Sequence, residues 1–335
     1  MRAPAIAGIL LRMKTLWLDR RPRIVCAHPL YDLKAALDIR QDDSVCTQVF
    51  SLSDLDNYIE EAEILCISML WKDYLLDRAP RLKLVQSISA GVDHFPQKVL
   101  QDRNIPLCSA RGVNARAVSE HVLSFILNIS RRLFEARDDQ KAGLWRTPVR
   151  DATNRVQELT GKRVLVVGLG SIGRRVAHLC QAFDMTVAGV RRTVVQEVED
   201  GIHIVASDRL HEAVAEADFV VLSCPLTPET HGLVDAAFLS SMRRDAYLIN
   251  VSRGKVVDEA ALLDALDKGT IAGAALDTFV DEPLPEGSTF WSRENVIVTP
   301  HNAGDSQFYA RNVVDILLDN ITNMENGTPL RNRVV

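Results

Sequence analysis

Residues 163–173 read Arg163-Val164-Leu165-Val166-Val167-Gly168-Leu169-Gly170-Ser171-Ile172-Gly173. An apolar run passes directly into G-x-G-x-x-G, and a helical pattern, Arg174–Phe183, follows at once. In that strand–loop–helix setting the spacing is specific for a dinucleotide loop. Gly168 permits the tight turn, Gly170 lets backbone approach a pyrophosphate, and Gly173 lets helix and strand pack closely. Free N–H groups at the helix start then face the phosphates. Leu169, Ser171 and Ile172 fill the remaining loop positions. A plain glycine-rich turn is the alternative, and it does not require the flanking strand and helix.

The neighbouring strand, Thr186–Val190, tests which dinucleotide is expected. An acid near its end would hold a ribose 2′-hydroxyl. The sequence has Arg191-Arg192-Thr193 instead. Forked, permanently charged guanidinium groups suit a 2′-phosphate. The stretch therefore predicts NADP(H), with NAD(H) as the alternative if both arginines are only solvated.

Further outward, short apolar runs alternate with helical segments, the pattern of α/β architecture with parallel sheets. Phe219–Ser223, Tyr247–Val251, Ala272–Leu276 and Val296–Thr299 are continuous apolar runs, as strands covered on both faces require. With the first two strands they make six, the number of a Rossmann sheet. Upstream, Arg23–Ala27, Val45–Phe50, Ile64–Ser68, Leu84–Ile88 and Pro106–Cys108 predict a smaller doubly wound domain. Its helices are expected at Asp54–Ala62 and Trp71–Arg78. One long helix, Ala115–Ala136, carries an apolar stripe of Val118, Val122, Phe125, Ile126, Ile129 and Leu133, with Asn114 or a neighbour as its cap. A last helix is expected over 305–324, stopping near Asn326-Gly327.

Composition narrows the class. The chain has 335 residues, enough for two cores, with 47% hydrophobic and 25% charged residues and a net charge of −5. That charge leaves no basic footprint for nucleic acid. No apolar run is long enough to span a membrane. Ala3–Leu11 is apolar but runs into Arg12 and Lys14, so residues 1–21 read as an N-terminal extension rather than a signal peptide. None of the six cysteines forms a C-x-x-C pair, which favours reduced thiols and a cytoplasmic setting. The histidines other than His301 show no ligand spacing, and no metal is expected.

Three more segments stand behind strand ends, where open α/β sheets bind ligands. They are Asn250-Val251-Ser252-Arg253-Gly254, Leu276-Asp277-Thr278-Phe279-Val280-Asp281-Glu282-Pro283 and Thr299-Pro300-His301-Asn302-Ala303-Gly304. One arginine, one glutamate and one histidine can thus converge. Singly each could be a surface charge or a satisfied loop residue. Together, in order behind a dinucleotide loop, they point to proton and hydride chemistry.

The set resembles the D-isomer-specific 2-hydroxyacid dehydrogenase family. The likeness also covers Ser89-Ala90-Gly91-Val92-Asp93-His94, Val113-Asn114-Ala115, Glu120-His121, Pro225-Leu226-Thr227-Pro228-Glu229-Thr230 and Gly327-Thr328-Pro329-Leu330. It implies a Rossmann cofactor domain, 112–303, inserted in a flavodoxin-like substrate domain, 22–111 plus 304–335, with substrate held in a closing cleft. It implies His301 as acid/base, Glu282 as its partner, and Arg253 on the substrate carboxylate and carbonyl. Backbone N–H groups of Ala90 and Gly91 would also grip the carboxylate. Asp277 would contact the nicotinamide carboxamide, and Pro225, Thr230, Val251 and Gly304 would line the cofactor.

The resemblance further implies a homodimer built on the long helix. Trp145 matches a loop that reaches a partner's active site in some relatives, with ordinary interface packing as the alternative. His121 is read as packing or dimer contact, and His94 as a residue of the substrate-side turn. The chain looks most like glyoxylate/hydroxypyruvate reductases, and a phosphoglycerate dehydrogenase with a regulatory domain is not expected. Asn302 and Asp305-Ser306 depart from the family pattern near the nicotinamide. The alternative function is a dinucleotide-sensing binding protein of the corepressor type, without turnover.

Overall fold

The computed structural model describes residues 21–40 and 45–335. The expected extension, 1–21, lies outside the described residues except for Arg21. The chain divides into two compact units. One comprises the described residues up to Val113 together with Ser306–Val335, and the other is Asn114–Asp305. The units change over at 113/114 and 305/306, two residues beyond the boundaries read from sequence.

The first unit is built on five parallel strands: β1 (Arg23–Ala27), β2 (Val45–Val49), β3 (Ile64–Ile67), β4 (Leu84–Ser87) and β5 (Leu107–Cys108). Their order is β2-β1-β3-β4-β5, the flavodoxin-like arrangement. Every residue of β3 and β4 is buried, because helices cover both faces. The expected helices shorten to Leu52–Leu55 and Leu75–Arg78. The Ser51 hydroxyl accepts the Asp54 N–H, which starts the first of these early, and a 3-10 turn at Ile59–Glu61 replaces its end.

A distant segment completes one face of this sheet. The helix Tyr309–Asn326 buries Val313, Val314, Ile316, Leu317 and Ile321 against Ile24, Leu37, Ile64 and Leu84. Its Asn320 donates to the buried Gln86 Oε1 at 3.0 Å. It starts four residues later than expected and stops at Gly327, whose φ of 65° is the left-handed cap the sequence signals.

The second unit holds an eight-stranded sheet where six strands were expected. It runs β13-β12-β11-β10-β6-β7-β9-β8. The strands are β6 (Arg163–Val167), β7 (Thr186–Arg191), β8 (Val198–Glu199), β9 (Ile202–Ala206), β10 (Phe219–Leu222), β11 (Tyr247–Asn250), β12 (Gly273–Leu276) and β13 (Val296–Val298). All pairs are parallel except β8 with β9. The sequence reading missed β8 and β9. They form a small hairpin where a crossover helix would stand, and β8 is only two residues long.

The expected long helix is two helices, α1 (Ala115–Arg131) and α2 (Leu133–Ala142). Arg132 takes φ 53° and breaks them, and the Asn128 Oδ1 accepts the Phe134 N–H at 3.0 Å across the turn. Val118, Val122, Phe125 and Ile126 are buried as the stripe requires, but Leu133 is exposed. Asn114 sits at the cap position without a side-chain capping bond. Its amide lies against Gly304 instead. No helix among the described residues is long and apolar enough to cross a membrane.

Candidate active site

The glycine loop joins β6 to α3 (Ser171–Gln181), beside the point where the strand order reverses between β6 and β10. Its geometry demands glycine. Gly168 has φ 102°, and a Cβ there would stand 2.6 Å from the Cys224 backbone. A Cβ on Gly173 would meet the Gly168 carbonyl at 2.1 Å. Around Gly170 nothing lies within 4 Å, and as N-cap it offers no side chain to the helix N–H groups. An open cradle with uncapped donors fits a pyrophosphate. Leu169 is buried over Gly189, and Ile172 packs into the core below, so both anchor the loop.

One functional residue here escaped the sequence reading. The Ser223 hydroxyl, just past β10, donates to the Gly168 carbonyl at 2.8 Å and so fixes the loop from the facing strand. Only the pairing of β10 with β6 reveals it.

The three candidate catalytic residues follow three neighbouring strands, β11, β12 and β13. Asn250 shapes the first turn. Its Oδ1 accepts the Ser252 N–H and hydroxyl at 3.0 and 2.8 Å, and its Nδ2 donates to the Arg253 carbonyl. Arg253 is exposed, with one guanidinium N–H on the Ser252 carbonyl at 2.6 Å. Gly254 packs so closely on the next loop that a Cβ would stand 1.9 Å from the Phe279 carbonyl carbon.

That next loop carries Glu282. One carboxylate oxygen accepts the Phe279 N–H at 2.9 Å, and the other meets the His301 Nδ1 at 2.7 Å. The pair is 45% and 35% exposed at the side chains of His301 and Glu282, open to a reactant. His301 itself has φ 51°. Asp277 is buried, and its carboxylate accepts from the Thr299 hydroxyl and from the N–H groups of Asn302 and Ala303.

A family model described as the D-isomer specific 2-hydroxyacid dehydrogenase NAD binding domain matches residues 123–303. The chain belongs to that family. It is 36% identical to a glyoxylate reductase of Thermofilum pendens over 254 residues, 72% of this chain and 74% of that protein. It is 34% identical over 261 residues to a glyoxylate/hydroxypyruvate reductase B of an Enterobacter species, covering 78% of this chain and 80% of that one. A D-isomer specific 2-hydroxyacid dehydrogenase from Xanthobacter autotrophicus, solved with NADPH and MES, superposes with a TM-score of 0.78. That pair shares 30% identity over 94% of this chain and 98% of the other. The protein is therefore a dehydrogenase of this family, carrying a nicotinamide-dinucleotide domain.

Within this dehydrogenase the two arginines at the end of β7, Arg191 and Arg192, are not equivalent. Arg191 pairs with Glu199 at 2.9 Å, and Arg174 shares the same carboxylate at 3.0 Å. Glu199 comes from β8, so the acid absent from the local sequence arrives through the hairpin. Arg192 and Thr193 are exposed. The guanidinium of Arg192 helps hold the Glu229 carboxyl below its usual range, after hydrogen bonds from Thr227 and the Glu229 backbone.

The Pro225–Thr230 turn is self-contained. The Thr230 hydroxyl donates to the Pro225 carbonyl at 2.6 Å and accepts the Thr227 N–H at 2.8 Å. Val251 is buried at the end of β11. In the first unit, Ala90 and Gly91 follow β4, and their N–H groups donate to no acceptor among the described residues. Trp145 is 92% exposed, and α2 buries none of its residues. His121 does not face outward: its Nε2 lies 3.1 Å from the Thr299 hydroxyl.

Proposed function

We propose that this dehydrogenase reduces a small 2-oxo acid, of the glyoxylate or hydroxypyruvate kind, with NADPH. The observation that carries the reading is the 2.7 Å hydrogen bond between His301 and Glu282, with Arg253 standing behind the neighbouring strand β11.

A bound nicotinamide supplies the hydride. The protein's part is to place and protonate the carbonyl. His301 holds a proton on Nδ1 toward Glu282, which orients the ring and stabilises the imidazolium. Nε2, the ring nitrogen not bonded to Glu282, gives its proton to the carbonyl oxygen as charge develops there. Arg253, with only one guanidinium N–H engaged, has donors left for the substrate carboxylate and the polarised carbonyl. In the first unit, the N–H groups of Ala90 and Gly91, which meet no acceptor among the described residues, are donors suited to a carboxylate. Gly168, Gly170 and Gly173, with Leu169, Ser171 and Ile172, shape the cradle for the pyrophosphate. Val251, Pro225, Thr230 and Gly304 line the rest of the cofactor site by position.

The preference for NADP(H) rests on Arg192 and Thr193, which stand exposed after β7, while Arg191 is held by Glu199. The relative from Xanthobacter was solved with NADPH, which supports the same reading. A homodimer is supported by the apolar surface of Leu133, Phe134, Leu144 and Trp145, all more than two-fifths exposed. Light scattering at a mass of one chain would remove the dimer.

The test is turnover of glyoxylate, hydroxypyruvate, pyruvate and phenylpyruvate with each coenzyme. NADPH should give the higher kcat/KM, and Arg192→Ala should narrow the ratio about tenfold by loss of one charge-assisted contact. No turnover with any of the four, alongside tight dinucleotide binding, would replace the enzyme reading with that of a dinucleotide sensor.

A further inference from the structure

His121 and Thr299 belong to no role described so far. Thr299 follows β13, two residues before His301. Its hydroxyl donates to Asp277 Oδ1 at 2.6 Å. That proton being spent, the Thr299 oxygen can only accept from His121 Nε2, 3.1 Å away. The ring of His121 therefore carries its hydrogen on Nε2. It lies 3.8 Å from Asp277 Oδ1 and rests edge-on against Phe125, with centroids 4.5 Å apart. Burial lowers the His121 pKa and favours the neutral ring, against the pull of Asp277.

On the other side of His301, the N–H groups of Asn302 and Ala303 donate to the same carboxylate, at 3.0 and 3.1 to 3.2 Å. One buried aspartate thus gathers donors from both flanks of His301. Between those anchor points His301 adopts φ 51°, a conformation that side chains other than glycine enter at a cost. Such a conformation persists only where the surroundings over-determine it. The helix α1 supplies the far end of the chain through His121.

We propose that His121 and Thr299 are positioning residues for His301. With Asp277 they form a buried hydrogen-bonded chain, and it holds the His301 backbone in the left-handed bend that presents the imidazole to Glu282. The inference rests on the reading of His301 as proton donor for its catalytic consequence, and on geometry alone for its structural one.

The experiment uses the full chain and four variants. Thr299→Val and His121→Leu remove the hydrogen bonds, while Thr299→Ser and His121→Gln keep them. Thr299→Val is isosteric and reads the result even if His121→Leu fails to fold. Amide exchange at Asn302 and Ala303 should quicken about tenfold or more in the deletion variants, as local opening becomes easier. The His301 ring resonance should move with it. Turnover number should fall about tenfold with the KM and dinucleotide Kd held within about threefold, and the double variant should lose no more than the worse single one. The Ser and Gln variants should stay near the parent in every readout.

Unchanged exchange at Asn302 and Ala303 in both deletion variants would overturn the proposal. So would conservative variants as impaired as the deletions, or losses that multiply in the double variant. If the parent turns over no 2-oxo acid, the functional reading falls on that result, and the exchange and ring readouts still decide this one.

Discussion

Two histidines stand just past the carboxyl ends of parallel strands, one in each unit, and they are held in opposite ways. His28 follows β1. It is 3% exposed, and its Nδ1 accepts the N–H groups of Leu30 and Tyr31 at 3.1 and 3.0 Å. It stacks on Tyr31, which stacks on Tyr309, each pair with centroids 4.7 Å apart. Burial pushes its pKa down to about 4. His301 follows β13, is half exposed, and faces a carboxylate at 2.7 Å. Fold position is shared, but the partner differs. Burial keeps one imidazole neutral, whereas the other stands open with a carboxylate against its Nδ1.

The largest expected effect breaks the comparison on the side of His301. His301→Ala should cut kcat/KM about a thousandfold, the scale of a general acid, while dinucleotide Kd stays within threefold. Survival of activity would hand the proton to another group. Next comes acid stability at His28. Its folded pKa lies below its unfolded value of about 6.5, so the neutral ring's contribution is complete above that pH and is lost as pH falls toward 4. The full loss is about 3 kcal/mol, most of it reached by pH 4. Denaturant unfolding at pH 7 and 5 reads the slope, and a His28 ring resonance that titrates above pH 6 would erase the contrast. The smallest effect is Glu282→Gln, which keeps a hydrogen-bond acceptor and removes the charge. Turnover should fall about tenfold to thirtyfold, as for loss of a charge-assisted bond. A variant as active as the parent would reduce Glu282 to a support for the Phe279 backbone.

How much of this could be read from the chain depends on distance along it. The glycine loop is local, with strand, turn and helix inside twenty residues, so it was legible except for the helix start at Ser171 rather than Arg174 and the bond from Ser223. Arg253, Glu282 and His301 were legible as candidates because each sits behind a strand of plain apolar pattern. That they stand behind neighbouring strands depends on β11, β12 and β13 lying side by side, which periodicity does not state. The strand β8 was missed because two residues leave no pattern, and with it went the pairing of Arg191 with Glu199; the five residues of β9 carried a strand pattern and were overlooked. The break at Arg132 was missed because the apolar stripe continues across it to Leu133, while a side chain, Asn128, makes the turn. His121, read as packing or dimer contact, does pack on Phe125, but helical spacing could not show that a threonine 178 positions away accepts its Nε2–H.

The helix Tyr309–Asn326 has a consequence for the order of events during synthesis. Its apolar face closes the sheet whose first strand is Arg23–Ala27, and Asn320 satisfies Gln86 at the centre. On the ribosome, the first unit's five strands therefore keep this face only partly covered, by Leu33, Ala36 and Leu37, until about two hundred further residues have been made. The middle unit, Asn114–Asp305, needs no such late arrival and can close first. The nascent chain thus matures from the middle outward. The exposed face of the early sheet is the surface that a chaperone would have to shield during that interval.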